Sequence, residues 1–184
     1  FEIKYFTKFG LKTRLIGHPV YYIKHNYLDN IHKSKIAFLP GSRKSEIKKL
    51  LPYFKMAHHF LKDEKKDFDI FIPTLPHLKK TIENYVKNWS LKVAVITDLE
   101  EIESHYRYTS KALVCSGTAS LEIAKRKIPQ LVIYKFNIIT EFIVKLFIKV
   151  KYANIINIFE GQMIIPEVTN SQLTKKYFLN EFSK

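Results

Sequence analysis

Two short stretches carry residues whose types and order suit anion chemistry. The first reads Leu39-Pro40-Gly41-Ser42-Arg43-Lys44-Ser45-Glu46-Ile47. Gly41 has no Cβ and lets backbone approach a ligand closely. Ser42 is suited to cap a following helix, whose first amides and dipole attract an anion. Arg43 offers a planar fork that matches phosphate oxygens. The second reads Cys115-Ser116-Gly117-Thr118-Ala119-Ser120-Leu121-Glu122. Its small residues leave helix amides open to a diphosphate. Glu122, one turn on, can accept two hydrogen bonds from a ribose diol. Each stretch also has a purely structural reading: an ordinary turn with an exposed Arg, and a capped helix whose Glu122 balances the positive end. Neither is a Walker loop or a dinucleotide fingerprint.

Other residues with chemical potential are weaker. Asp98 is expected to cap the helix that starts near Leu99. Cys115 ends an apolar run and reads as a buried, inert thiol. It is the single cysteine of the chain, so an intramolecular disulfide and a cysteine-based zinc site are excluded. His58-His59 lacks matching acidic or histidine partners, and no metal site is expected there. His18, in Gly17-His18-Pro19, reads as a hinge or packing residue as readily as a functional one. Asn157 can bind substrate or a neighbouring subunit, or hold a loop.

These residues must be positioned by elements, and the pattern of apolar runs says which. Ile36–Leu39, Phe68–Ile72, Val93–Ile96, Ala112–Cys115 and Leu131–Tyr134 are short apolar runs of strand type. Between them, Ile47, Leu50, Leu51, Phe54, Ala57 and Leu61 recur at helical spacing, with Pro52 expected to kink that helix or start a second segment. Leu78, Ile82, Tyr85 or Val86, and Trp89 form another stripe. Short helices are expected over 99–105 and around 121–126. Apolar strands alternating with helices predict an α/β fold: an open, Rossmann-like parallel sheet with helices on both faces. Ligands bind such sheets beyond the carboxyl ends of the strands, which points to the loops at 40–43, 73–76, 97–98 and 116–118.

The chain has 184 residues and a net charge of +14, yet only four of its 31 basic residues are Arg. With abundant Ile, Asn, Tyr and Phe, that lysine excess fits compositional bias and solvated surface as well as an anion-binding face. No recognised nucleic-acid motif or Arg–aromatic stacking patch occurs. No apolar run reaches the ~18 residues of a membrane span. Ile138 to Tyr152 mixes apolar residues with Lys145, Lys149 and Lys151. It suits either a crossover helix packed on the sheet or a basic amphipathic helix on an anionic bilayer.

Gly17-His18-Pro19, Leu39-Pro40-Gly41-Ser42-Arg43 with Glu46-Ile47, Ser116-Gly117-Thr118-Ala119 with Leu121-Glu122, Pro129 with Tyr134-Lys135, Asn157 and Pro166-Glu167 occur in one order. As an ordered set they closely resemble the lipid-A-disaccharide synthases, glycosyltransferases with two Rossmann-like domains (the GT-B architecture). The resemblance covers nearly the whole chain and is to the family's carboxyl-terminal, nucleotide-sugar-binding half. It implies that residues 1–20 are the exit segment of an amino-terminal acceptor domain lying upstream. Residues 21–184 would then be the UDP-sugar-binding domain, cut short at its carboxyl end.

The implied reaction is an inverting transfer. A diacylated glucosamine passes from UDP to diacylglucosamine 1-phosphate (lipid X), giving lipid A disaccharide phosphate and UDP, with no cofactor and no required metal. The resemblance implies UDP-sugar contacts at Gly41, Ser42, Arg43, Glu46, Ser116, Gly117, Thr118, Ala119, Glu122, Tyr134 and Asn157, with His18 as a hinge or site residue. The catalytic base is expected in the acceptor domain, and none is assigned in this chain. The implied setting is the cytoplasm of a Gram-negative bacterium, with peripheral contact at the inner membrane; a homodimer is compatible and nucleic acid is not an expected partner. The alternatives are another GT-B UDP-sugar enzyme, such as a muramyl-type glycosyltransferase or a UDP-GlcNAc 2-epimerase, and a basic nucleic-acid-binding module.

Overall fold

The computed structural model describes residues 3–14, 16–22, 34–64, 68–135 and 152–184. Six strands form one sheet: β1 (Lys35–Leu39), β2 (Asp69–Pro73), β3 (Val93–Ile96), β4 (Thr109–Cys115), β5 (Gln130–Tyr134) and β6 (Glu167–Thr169). Every pairing is parallel, and the spatial order is β3-β2-β1-β4-β5-β6. The described helices are α1 (Ile3–Lys8), α2 (Lys44–Asp63), α3 (Pro76–Val86), α4 (Leu99–Arg107), α5 (Thr118–Lys125), α6 (Ile155–Glu160) and α7 (Lys175–Ser183), with 3-10 turns at Pro19–Tyr22 and Asn170–Gln172.

Alternation along the strands divides the core into two layers. Ile36, Phe38, Ile70, Ile72, Leu113, Cys115, Leu131 and Ile133 pack under α2, α3 and α7, through Ile47, Leu50, Phe54, Leu78, Ile82, Phe178 and Phe182. Ala37, Leu39, Phe71, Ala112, Val114 and Val132 face the other way, against Ile102 and Tyr106 of α4 and Ile123 of α5. Both faces are covered, which is why the central strands are apolar throughout rather than alternating with polar residues.

The five expected strands are present, and the structure adds β6. That strand holds only three residues, of which Val168 alone is a buried apolar residue, too short for a periodic signal. Of the two outcomes expected at Pro52, a kink or a second segment, the second does not occur: α2 is one helix that runs through it. The missing amide of Pro52 deprives the Lys48 carbonyl of its helical partner, but Pro52 and Lys48 both lie on the exposed face, where water can satisfy that carbonyl. Meanwhile Ile47, Leu50, Leu51, Phe54, Ala57 and Leu61 hold the opposite face in the core.

Strand order positions the site. From β1 the chain moves outward through β2 to β3, then returns to place β4 on the other side of β1. The direction of winding therefore reverses between β1 and β4, and ligands of open α/β sheets bind at such a reversal.

Candidate functional site

At the reversal, Phe38 lies opposite Leu113 and Leu39 opposite Val114. Beyond these pairs the two chains part. The loop after β1 leads to α2 on one face, and the loop after β4 leads to α5 on the other. In open α/β sheets such a parting at the reversal point frames a crevice beyond the strand ends, here beside the starts of α2 and α5.

Ser42 does not cap α2. The helix starts at Lys44, so the cap position falls to Arg43, whose backbone is extended and whose side chain makes no capping bond. Ser42 sits one residue too early and is exposed. The first helical bond runs from the Ile47 N–H to the Arg43 carbonyl at 3.0 Å, so the cap residue leaves the first-turn amides without a side-chain acceptor of its own. Arg43 instead donates through Nη1 to Glu46 Oε1 at 2.7 Å. That bond and the Glu46 charge push the guanidinium pKa further up. At 77% exposure of the Arg43 side chain the pair adds little stability, but it holds the guanidinium against the first turn of α2.

Gly41 has φ +109°, and a Cβ there would lie 2.9 Å from Glu46 Oε2 and 3.4 Å from Cys115 Sγ. The absent side chain thus lets the loop close on Glu46 and β4, rather than on a ligand directly. Cys115 is buried, and burial, reinforced by Glu46, pushes its thiol up to about 12; it is inert at neutral pH. Tyr134 ends β5 at the same place. Burial raises its phenol first, then the neighbouring Cys115 and Glu46, while Arg43 opposes them. Arg43, Glu46, Cys115 and Tyr134, from three elements and a loop, thus feel one another's charge.

The second loop has a different logic. Gly117 occupies the cap position of α5 with φ +141° and no side-chain cap. A Cβ built there meets nothing within 4 Å, so the glycine serves backbone conformation beside open space. Thr118 is exposed beside it, and Ala119 is partly buried against the second core layer. Ser116 donates through Oγ to the Ala153 carbonyl at 2.8 Å, tying the loop to the segment before α6. Glu122 is partly buried. Burial raises its carboxyl pKa, Arg126 and His18 lower it, and Glu103 raises it. His18 reaches this neighbourhood because the Pro19–Tyr22 turn is seated on α5: Lys125 Nζ donates to the Val20 carbonyl, and Val20 is buried. The Val20 N–H donates to His18 Nδ1 at 3.2 Å.

Asn157 does not face the crevice. It is fully buried; its Oδ1 accepts from the Ile164 and Ile165 N–H groups, both at 2.9 Å. Its Nδ2 donates to the Ile165 carbonyl at 2.7 Å and to Glu167 Oε2 at 3.2 Å. Its polar atoms are engaged in closing the turn between α6 and β6. Glu167, to which no role was assigned from sequence, is the hub of that turn. Its carboxylate also accepts from the Ala153 and Asn154 N–H groups at 2.9 and 2.7 Å. Asn154 caps α6 and donates to Ser120 Oγ at 2.6 Å. This chain of bonds sets the height of the Ser116 loop. Asn154 ahead of Ile155-Ile156 is a capping signal that sequence reading can recover.

The remaining candidates fall outside the crevice. Asp98 caps α4, accepting from the Glu101 N–H at 2.8 Å. His58 is buried, with Nε2 accepting from the Leu91 N–H at 2.9 Å. Among the described residues no group of three or more potential ligands could hold a metal ion. The sequence does contain one Asp-x-Asp, Asp67-Phe68-Asp69. Asp69 opens β2 and lies 3.4 Å from Lys35 at the start of β1, at the amino ends of the strands, opposite the loops of the site; Asp67 lies outside the described residues. So does the stretch 138–151. No described helix is long and apolar enough to cross a membrane.

The family model described as "Lipid-A-disaccharide synthetase" matches residues 1–183. The lipid-A-disaccharide synthase of Gluconobacter oxydans is 30% identical over 196 residues, covering 100% of this chain and 47% of that protein. That of Rickettsia prowazekii is 35% identical over 178 residues, covering 91% and 46%. The chain spans about half the length of the curated relatives it matches. Among solved structures, TarM superposes with a TM-score of 0.56 at 12% identity, over 88% of this chain and 30% of that one. The E. coli heptosyltransferase WaaC with ADP gives 0.54 at 16% identity, over 85% and 46%. At these identities the likeness is one of fold: the sheet is half of a GT-B architecture.

Proposed function

The chain belongs to the lipid-A-disaccharide synthetase family, and from that premise we propose that its crevice holds the UDP part of a nucleotide-sugar donor. The whole protein would transfer a diacylated glucosamine from UDP to diacylglucosamine 1-phosphate. In that transfer the anomeric carbon–oxygen bond to the diphosphate breaks as the acceptor hydroxyl oxygen bonds to the same carbon from the opposite face. The hydroxyl proton passes to a base, and UDP leaves. The base is assigned to the half of the relatives that this chain does not span.

The leaving diphosphate gains negative charge, so the chain's contribution is electrostatic and positional. Arg43 is proposed to grip the diphosphate, with the first-turn amides of α2 and α5 on either side. Gly41, Ser42, Ser116, Gly117, Thr118 and Ala119 form the backbone cradle. Glu46 steers Arg43, Tyr134 closes the floor, and Glu122 accepts from the ribose hydroxyls. Asn157 supports the cradle from behind, and His18 borders Glu122.

One observation carries this reading. At the sheet's reversal point two helices begin beyond adjacent strands, and in neither does the cap residue, Arg43 or Gly117, make a side-chain capping bond. Open amino-termini of this kind favour anions through their free N–H groups and dipoles. The test is UDP calorimetry. Arg43→Ala is expected to weaken binding roughly ten- to a hundredfold, the range for losing a charge-assisted hydrogen bond. An unchanged affinity in a folded variant would remove Arg43 from the site.

A further inference from the structure

Glu167 opens β6, the outermost strand of the described sheet, and is only 7% exposed. Its carboxylate is held by N–H groups alone. Oε1 accepts from the Ala153 N–H at 2.9 Å. Oε2 accepts from the Asn154 N–H at 2.7 Å and from Asn157 Nδ2 at 3.2 Å. Among the described residues no ion pair joins it. A buried carboxylate is costly, but it can accept on both oxygens at once, which a glutamine amide cannot. Here both oxygens take consecutive backbone amides, and so fix the backbone of Ala153 and Asn154.

The segment fixed in this way grips the loop after β4. The Ala153 carbonyl accepts from Ser116 Oγ at 2.8 Å, and Asn154 Nδ2 donates to Ser120 Oγ at 2.6 Å. Ser116 and Ser120 flank Gly117, Thr118 and Ala119. Ser116 is also tied to β5 through its N–H, at 3.2 Å from the Ile133 carbonyl. Gly117 has nothing within 4 Å of a built Cβ, so no packing steadies that side of the loop. The rest of α5 is anchored without Glu167: Ile123 is fully buried, and Ser120 and Gln130 exchange two hydrogen bonds. We propose that Glu167 is a positioning residue for the diphosphate, setting through Ala153 and Asn154 where the 116–119 loop presents its backbone. The inference rests on the placement of the diphosphate at that loop in the preceding section.

The test compares UDP with uridine, which lacks the diphosphate, in titrations followed by NMR. The wild-type protein should bind UDP more tightly than uridine. Glu167→Gln keeps the side-chain shape but turns an NH2 group toward an N–H donor, releasing one amide of the 153–154 segment. It is expected to weaken UDP roughly five- to thirtyfold, the range for one or two misaligned hydrogen bonds. Uridine should change less than twofold, because Glu122 sits on the independently anchored part of α5. Ser116→Ala cuts the same chain of bonds at its far end and should reproduce the selective loss. It leaves the buried turn around Glu167 intact, so it keeps the test open if Glu167→Gln folds poorly. The double variant should lose no more than the larger single loss, because both substitutions break one route. Equal losses of both ligands, unchanged UDP affinity in either folded variant, or losses that multiply in the double variant would overturn the role of Glu167. If the wild-type protein does not distinguish UDP from uridine, the placement of the diphosphate fails and takes this inference with it.

Discussion

The two crevice glycines have similar backbone strain but different surroundings, and replacing each with alanine separates packing from binding. Gly41 and Gly117 have φ of +109° and +141°, where an L side chain costs roughly 1–3 kcal/mol. Gly117→Ala adds only that strain, since its new methyl enters open space. Gly41→Ala adds a wedge. Glu46 Oε2, 2.9 Å from the new atom, is the end of a side chain and can swing away. Cys115 Sγ, at 3.4 Å, belongs to a buried strand end and has little freedom. Overpacking of this kind costs a further ~1 kcal/mol or more. Denaturant unfolding should therefore rank Gly41→Ala below Gly117→Ala by about 1 kcal/mol, or ~2–4 °C in Tm for a chain of this size. Binding should rank them oppositely. The methyl of Gly117→Ala occupies the space proposed for the diphosphate and should weaken UDP more than tenfold, an effect of ~1.4 kcal/mol or more. Gly41→Ala acts on UDP only through displacement of Glu46 and Arg43. UDP binding by Gly117→Ala within twofold of wild type would refute placement of the diphosphate against that loop. Equal stabilities would refute the wedge.

His58 should make stability fall in mild acid. Its Nε2 accepts from Leu91, its Nδ1 has no partner, and its ring packs on Trp89 with centroids 4.8 Å apart; burial, then the charge of His59, lowers its pKa below 6.5. A histidine kept neutral in the fold contributes stability that is fully present above the unfolded pKa and is lost as pH falls through 6.5, by at most ~1.4 kcal/mol per pH unit. His58→Gln retains an acceptor for Leu91 and should flatten that slope in unfolding measured at pH 5.5 and 7.5; a slope unchanged by the substitution would show that other groups cause it. Asn157→Ala strands the buried Ile165 N–H and the part-buried Ile164 N–H and should cost ~2–3 kcal/mol in stability. UDP affinity of the folded fraction should stay within threefold. A collapse of affinity in a stable variant would return Asn157 to direct contact with the nucleotide.

What could be read in the sequence, and what could not, divides along physical lines. Strands buried on both faces are continuous apolar runs, so Ile36–Leu39, Val93–Ile96 and Leu131–Tyr134 were visible to within a residue of β1, β3 and β5. Strand β4 begins earlier than expected because the polar side chains of Thr109, Ser110 and Lys111 all find carbonyl acceptors there. Ser110 bonds the Lys35 carbonyl and Lys111 the Phe182 carbonyl, neither of which hydropathy can reveal. Ser42 was a reasonable cap by residue type, but the helix start is set by where Ile47 meets the core, and that places Arg43 at the cap. The Asn157–Glu167–Asn154–Ser120 network joins residues far apart in sequence through single polar atoms, and no periodicity encodes it. The same holds for Arg126: its position at a helix end suggests dipole balance, and only the return of α4 beside α5 turns it into a buried cation paired with Glu103 and lying over the Tyr106 ring. Each anion-ready loop is ambiguous alone. Strand order gives them meaning together, because it sets β4 directly beside β1 and makes two turns, separated by more than seventy residues in the chain, the two walls of one crevice.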